Sequence, residues 1–339
     1  MKIENLIVPK RFKDRRNQPS RNEIVEGREV EISCDDYHDP SHDLAASSLS
    51  RSELTSFIDD PVGFYHKKVK GVDPGKDKDE LRFGKVWHVM TLESKETYER
   101  VPASALTSNG QRRGNAWNEW HAEHGDWYLL DKEYEKACRM RDAVLANPIY
   151  RDFCTENRFI PELEHEKTIV ARHEPTNLNT RIRLDVFSRT LCDLKSAANV
   201  KPDKFAVHAL DYGYHQQAAL YCDVVQALTG EQFQRPFAFI ACKKTPPYTV
   251  EVYVMDEEFI DLGRRMNYRA FDLFAAFWDM HTQRVAAGVD EADNEEAWKP
   301  ATHGQAVRLM MPPRGMYVED YLPDPNDYIK RARELRVPQ

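Results

Sequence analysis

The residues best suited to chemistry lie in the stretch TRIRLDVFSRTLCDLKS, which begins at Thr180. Its first half alternates polar and apolar side chains, and a second short run follows a Ser-Arg-Thr turn, which predicts a β-hairpin. Asp193 and Lys195 are two positions apart and share a face of their strand, which Asp185 can reach from the neighbouring strand. Two carboxylates and an ammonium on one patch of sheet could hold a divalent metal beside a developing anion. For these three residues alone, a surface hairpin with a salt bridge is the alternative.

Hydrophobic periodicity predicts an α/β fold around this hairpin. Helical patterns fill the chain from about residue 48 to 156, and the pattern then changes to strands. The segments that follow are a strand at 163–172, the hairpin, a helix at 201–228, strands at 236–242 and 248–255, and a helix at 256–287. The crossover from the hairpin to the next strand should be right-handed. We therefore expect one mixed β-sheet flanked by helices.

Composition divides the chain into three parts. We expect a flexible charged arm at 1–45, a folded domain at 46–289 and an extended tail at 290–339. The arm contains a basic run, KRFKDRRNQPSR, and an acidic loop, EISCDDYHDPSHD. The Pro-rich tail would pack on its own or another subunit. Because this tail and an aromatic helix at 271–278 both need a surface to cover them, we favour an oligomer contact.

Charge and cysteine content limit the class of protein. The formal net charge is −8, which argues weakly against nucleic-acid binding, although basic residues cluster locally. The sequence has no apolar run of membrane-spanning length and its first residues lack the apolar core of a signal peptide, so we expect a cytoplasmic protein without membrane contact. Six scattered cysteines without a C-x-x-C motif predict no zinc site, iron–sulfur cluster or disulfide framework.

Five motifs occur in a fixed order along these elements. They are G-x-x-x-H at Gly84 and His88, Glu166 on the first strand, R-x-R-x-D ending at Asp185, D-x-K at Asp193 to Lys195, and Q-x-x-x-Y at Gln217 and Tyr221. Each motif alone is weak, because D-x-K occurs by chance in many chains. The ordered set, with each motif on a suitable element, is a strong signal.

This ordered set resembles the PD-(D/E)XK nuclease superfamily and its restriction-endonuclease-like core. Within it, the chain is most similar to the RecB-type exonuclease branch, near RecE (exonuclease VIII) and the phage recombination exonucleases. The stretch DLKSAANVKPDKFAVHALDYGYHQQAALYCD is like the D-L-K-T-A strand and Y-G-Y-x-x-Q-A-A-x-Y helix of the RecE group, and LSRSELTSFIDDPVGFY is like its helical entry. The likeness covers residues 46–285, although Leu184 replaces the family's proline before the first aspartate.

The resemblance implies a Mg²⁺ site, in which Mn²⁺ could substitute. Its ligands would be His88, Asp185, Asp193 and the backbone carbonyl of Leu194. Glu166 would bind metal or order the water around it, with Glu164 as a less favoured substitute. The cysteine quartet of the iron–sulfur subgroup is missing, so we expect no such cluster.

The resemblance also implies roles for residues around the metal. Lys195 would orient the attacking water and offset charge on the phosphate. Gln217 and Tyr221, one helical turn apart, would contact Lys195 or a phosphate, with a packed helix face as the alternative. Tyr212 and Tyr214 are expected to be core or helix-start residues. The candidate DNA contacts are Arg51, Arg181, Arg183, Lys201 and Lys204. Arg181 and Arg183 would clamp a phosphate, with solvated arginines as the alternative.

The function implied is a Mg²⁺-dependent exodeoxyribonuclease that resects linear double-stranded DNA ends for recombination. Its expected partners are duplex ends, a single-strand annealing protein and further copies of the chain in a trimeric or tetrameric ring. The alternatives are a structure-specific or restriction-type endonuclease on the same fold and a non-catalytic DNA-binding or assembly module.

Overall fold

The computed structural model describes residues 22–72, 79–93, 98–154, 163–232 and 234–299. The strands are β1 (Ile24–Glu29), β2 (Leu49–Ser50), β3 (Glu99–Arg100), β4 (Tyr128–Leu129), β5 (Glu164–His173), β6 (Leu178–Phe187), β7 (Leu191–Ala197), β8 (Phe237–Lys243) and β9 (Val250–Val254). The helices are α1 (Cys34–His38), α2 (Asp43–Ser47), α3 (Arg51–Asp59), α4 (Pro61–Lys68), α5 (Asp79–Leu92), α6 (Asn115–His124), α7 (Asp131–Ala146), α8 (Pro148–Phe153), α9 (Pro202–Asp211), α10 (Tyr214–Thr229) and α11 (Glu257–Ala286). Short 3₁₀ segments lie at Ala103–Ala105 and Glu291–Trp298.

A mixed sheet forms the centre of the described chain, with strands in the order β1-β5-β6-β7-β8-β9 and β2 beside β6. The pairs β1–β5, β5–β6, β6–β7 and β8–β9 are antiparallel, whereas β7 and β8 are parallel. The parallel pair requires a crossover, which α9 and α10 supply. The α/β class with a central mixed sheet and flanking helices is therefore confirmed.

Two apolar clusters cover the two faces of this sheet. One contains side chains of α3, α10 and α11 together with Phe237 and Phe239 of strand β8. The other contains side chains of α5, α7 and α8 packed on Leu194 and Ile240. Because successive strand residues point to opposite faces, β7 and β8 contribute to both clusters, and the sheet is buried on both sides.

The predicted N-terminal boundary is wrong for residues 22–45. Strand β1 pairs with β5, with Ile24 opposite His173 and Glu29 opposite Ile169. The predicted acidic loop contains α1 and α2, and the Ser33 side chain caps α1. Short polar segments of this kind carry little periodicity, so only strand pairing reveals that they belong to the domain. Residues 1–21 of the predicted arm lie outside the described residues.

The predicted C-terminal boundary and exposed aromatic helix also need correction. Residues 291–298 pack on the domain, and Trp298 is fully buried. On α11, Phe271, Phe274 and Trp278 are buried in the core as well. These rings therefore cover one another, and the aromatic helix gives no support to an oligomer contact. Residues 300–339 lie outside the described residues. In the described part of the chain, no helix is long and apolar enough to span a membrane.

A buried ion-pair network joins the helical entry to the sheet. Glu53 on α3 pairs with Lys68 on α4 and lies 2.8 Å from the Arg181 guanidinium on β6. Both cations are almost completely buried. Burial raises the pKa of Glu53, but Arg181 and Lys68 lower it to about 2 overall. The carboxylate thus stabilises the fold fully above its ordinary pKa of 4.5, and this contribution is lost as pH falls towards 2.

Replacing Glu53 with Gln should lower the free energy of unfolding by about 3–5 kcal/mol, because two buried cations lose their partner. Glu26→Gln is the control, since Glu26 pairs with Arg172 while 66% exposed and should contribute at most about 1 kcal/mol. Urea unfolding at pH 7 measures both losses, and the effect of Glu53→Gln should shrink below pH 4. Equal losses in the two variants would contradict the analysis.

Candidate metal and catalytic site

The strand register brings the predicted acidic residues together. Because β5 and β6 pair with His165 opposite Val186 and Lys167 opposite Leu184, Glu166 lies opposite Asp185. Strands β6 and β7 pair at Val186 and Cys192, next to Asp185 and Asp193. Glu166 has a φ of 54°, in the left-handed region, which costs a non-glycine residue about 1–3 kcal/mol.

Three side chains from two strands and a helix form a candidate metal group. His88, Glu166 and Asp185 each offer one ligand atom, and these atoms lie within 4.8 Å of one another. The imidazole Nδ1 of His88, on α5, is 3.4 Å from Asp185 Oδ2. The predicted position of His88 beside the aspartates is thus observed. Between the two predicted glutamates, the structure places Glu166 in the group, whereas Glu164 is half exposed and pairs with Lys167.

The charges of this group suit a divalent cation. Burial, followed by repulsion from Asp193 and Glu166, raises the pKa of Asp185 well above 3.8. Burial also raises the pKa of Glu166, against the effect of Arg183. Burial lowers the pKa of His88 to about 4, so its imidazole is neutral at pH 7. A neutral imidazole beside carboxylates that repel one another is a donor set that a bound cation would stabilise.

Asp193 lies beside the metal group, but its carboxylate bonds to Lys195 and Gln217. Its Oδ2 is 2.6 Å from Lys195 Nζ, and its Oδ1 accepts a hydrogen bond from Gln217 on α10. Burial lowers the pKa of Lys195, but Asp193 opposes this and the net shift is upward, so the ammonium stays protonated. Gln217 therefore contacts Asp193, whereas the predicted contact was with Lys195 or a phosphate.

The remaining predicted neighbours also lie here. The backbone N–H of Leu194 donates a hydrogen bond of 2.6 Å to Asp185 Oδ2, and the Leu194 carbonyl accepts one from His88. Tyr221 is buried one turn after Gln217, and burial raises its pKa well above 10. Both α10 residues thus adjoin the site.

The two strand arginines have internal partners. Arg181 is 3% exposed, pairs with Glu53 and donates to the Ser48 carbonyl. Arg183 lies 2.6 Å from Glu166. The Arg181 guanidinium is buried among internal partners, so its prediction as a DNA contact is wrong. The Arg183 side chain is only partly buried and lines a cleft together with Glu166, and its contact with DNA stays a prediction. Sequence reasoning missed the role of Arg183 as the partner of Glu166, although their opposite charges on neighbouring strands gave a signal.

Among the other predicted DNA contacts, two lysines at the start of α9 are at the surface, whereas Arg51 on α3 is partly buried. Lys201 and Lys204 are exposed, and the Arg51 guanidinium donates to the backbone carbonyl of Tyr212. Tyr214 begins α10 as expected, but its ring also lies 4.8 Å from Lys195 Nζ. The ring face contributes to holding the ammonium.

Comparison with known proteins defines the class. The fold is of the PD-(D/E)XK type, and the family model described as "PDDEXK-like domain of unknown function (DUF3799)" matches residues 50–288. The chain belongs to this family. Among solved structures, a chain from Eubacterium rectale described as a "Putative exonuclease" is similar at 13% identity and a TM-score of 0.47, covering 72% of this chain and 87% of that chain. The curated proteins give no match.

Asp185→Asn should raise the thermal stability of the metal-free protein at pH 7. The pKa of Asp185 is raised on folding, so the metal-free chain loses stability as pH rises above 3.8, and the neutral amide avoids this loss. The same variant should lose most of the stabilisation by added Mg²⁺ or Mn²⁺, which for a single site is about 2.7 kcal/mol at 100 times Kd.

Thermal unfolding with and without each cation measures both effects. Glu164→Gln is the matched control, because it removes one carboxylate outside the group and should keep the metal response. An unchanged metal response in Asp185→Asn would exclude this group as the site.

Proposed function

We propose that the chain is a divalent-metal-dependent nuclease that degrades linear double-stranded DNA from its ends. The observation that supports this most is the meeting of His88, Glu166 and Asp185 beside the Asp193–Lys195 pair in a PDDEXK-like domain. A site without the lysine or one of the acids would favour a non-catalytic module, and here these side chains lie together.

Each side chain has a role in this proposal. His88, Glu166 and Asp185 would hold Mg²⁺, with Mn²⁺ able to replace it and the Leu194 carbonyl close by. When bound, Mg²⁺ would supply charge stabilisation at the scissile phosphate and lower the pKa of an attacking water. The amide of Gln217 orients Asp193, and Asp193 in turn holds the Lys195 ammonium.

The protonation of Lys195 limits its role. Because the lysine pKa is raised, the side chain is a cation and hydrogen-bond donor, not a proton acceptor. It would donate to a phosphate oxygen or orient the attacking water, and so offset charge that develops in the transition state.

The finer assignment is carried by the resemblance of DLKS and YGYHQQAALY to the RecE group. It adds resection for recombination in the cytoplasm, a single-strand annealing protein as partner and a trimeric or tetrameric ring around the DNA. Lys201 and Lys204 are exposed and could contact the DNA backbone. The rival is an endonuclease on the same fold.

Incubation with Mg²⁺ and end-labelled linear duplex should release label or nucleotides, while a closed circular duplex stays intact. Asp193→Ala and Lys195→Ala should each lower the rate on the order of 10²–10³-fold, because a preorganised charge is lost. Glu166→Gln should be similarly impaired, whereas its neighbour Glu164→Gln should cleave normally. Nicking of the circle would favour the endonuclease, and DNA binding without any metal-dependent cleavage would favour the non-catalytic module.

Native mass measurement should find a trimer or tetramer at micromolar concentration. A ring that encloses its strand should degrade one DNA molecule completely before releasing it. Unlabelled DNA added in excess after the reaction has started should therefore not stop the degradation of labelled molecules that are already bound. A strict monomer would overturn the ring, and the nuclease proposal would stand on the cleavage assay alone.

A further inference from the structure

A stack of four rings runs from the sheet to the surface beside the site. Tyr253 of β9 stacks on Phe205 with ring centroids 4.7 Å apart, and Phe205 is followed by His208 at 6.1 Å and Tyr212 at 4.3 Å. The inner rings are fixed, since Phe205 is buried and Tyr253 donates to the Val200 carbonyl. Tyr212 is the outer end of the stack and is 59% exposed.

The backbone holds Tyr212 in this exposed position. Tyr212 is the C-cap residue that directly follows α9, and its N–H donates a hydrogen bond to the His208 carbonyl. Its own carbonyl accepts a hydrogen bond from the Arg51 guanidinium. Gly213 follows with a φ of +62°, where a side chain would be strained and a Cβ would lie 2.6 Å from Arg51 Nη2. The turn therefore presents the tyrosine ring at the surface.

The outer ring is close to the catalytic lysine. The Tyr212 and Tyr214 ring centroids are 6.1 Å apart, and Lys195 Nζ is 4.8 Å from the Tyr214 ring. The His208 Nε2 is 3.1 Å from the Tyr214 hydroxyl, so a hydrogen bond joins the stack to the ring that contacts Lys195. These steps are comparable with the spacing of a few nucleotides along one DNA strand, about 3.4 Å each.

Charged residues of both signs surround the stack. Arg51 lies beneath the turn, Lys244 acts electrostatically on His208, and Lys201 and Lys204 are exposed at the N-terminal end of α9. Asp203 and Asp211 oppose them, and Asp203 pairs loosely with Lys204 at 3.6 Å. An exposed aromatic face with cations on the same surface is a combination that binds unpaired nucleotides without sequence preference.

We propose that Tyr212 is a stacking platform for an unpaired base of the strand that enters the site. This inference rests on the proposed nuclease function and names the form of its substrate: a strand end with at least one nucleotide separated from its complement. Stacking on Tyr212 would favour the separated state and position the backbone near Lys195. Tyr212 is thus a positioning residue.

The test uses the full-length chain carrying Asp185→Asn, so that DNA persists, and a duplex with a four-nucleotide unpaired end containing 2-aminopurine. The fluorescence of this base falls when it stacks on an aromatic ring. Tyr212→Ala should bind about 5- to 150-fold more weakly and lose the quenching, as expected for one base–aromatic stack. Tyr212→Phe should behave like the parent.

Val207→Ala is the matched control, because Val207 is a 57% exposed apolar residue on the same helix without a ring and should leave both readouts unchanged. Thermal unfolding verifies that the variants fold. Unchanged affinity and quenching in Tyr212→Ala overturn the platform, as does a parent that does not bind the DNA. Cleavage is assayed separately with the chain that carries no substitution. If this chain cleaves DNA but Tyr212→Ala does not weaken binding, only the stacking platform is disproved. If this chain does not cleave DNA at all, the proposed function is disproved.

Discussion

Repulsion between carboxylates on adjacent strands is the constraint on which the site depends. Glu166, Asp185 and Asp193 lie on three successive strands of a buried sheet, where each negative charge raises the free energy of the others. Arg183 pairs with Glu166, and Lys195 pairs with Asp193. Asp185 instead contacts the Leu194 N–H and a neutral imidazole. The unbalanced charge is therefore concentrated where a divalent cation would compensate it best.

The sheet makes this arrangement rigid because both of its faces are covered. His88 reaches Asp185 from α5, whose neighbours form one apolar cluster, and Gln217 reaches Asp193 from α10, which packs in the other. Side chains held by packed elements keep their geometry without reorganisation when a substrate binds. Two features of this arrangement are unfavourable, namely the left-handed backbone of Glu166 and the raised pKa values of Glu166 and Asp185. A bound cation would lower those pKa values.

The structure gives different surroundings to residues of the same type that lie close together in the sequence. Arg181 and Arg183 are two positions apart, yet one holds the helical entry through Glu53 and the other neutralises Glu166. Tyr212 and Tyr214 are also two positions apart, yet one ring is exposed and the other lies against Lys195. Membership in the PDDEXK-like family fixes the fold class and leaves such assignments to the individual side chains.

The sequence by itself determined the fold class, the hairpin, the D-x-K pair and helical structure around Gln217, because these depend on periodicities of two and 3.6 residues within short segments. The single helix predicted at 201–228 is two helices, α9 and α10, with Gly213 between them. The sequence misplaced the 22–45 strand and helices, the packed 291–298 segment and Arg181, because pairing and burial involve residues far apart in the chain. The resemblance to a known family anticipated that His88 meets Asp185 and favoured Glu166 over Glu164, and the tertiary structure shows these three side chains together. Only the tertiary structure decided that Arg183 pairs with Glu166 and that Tyr212 ends an exposed stack. Such contacts are set by how strands register and helices pack, which local spacing does not encode.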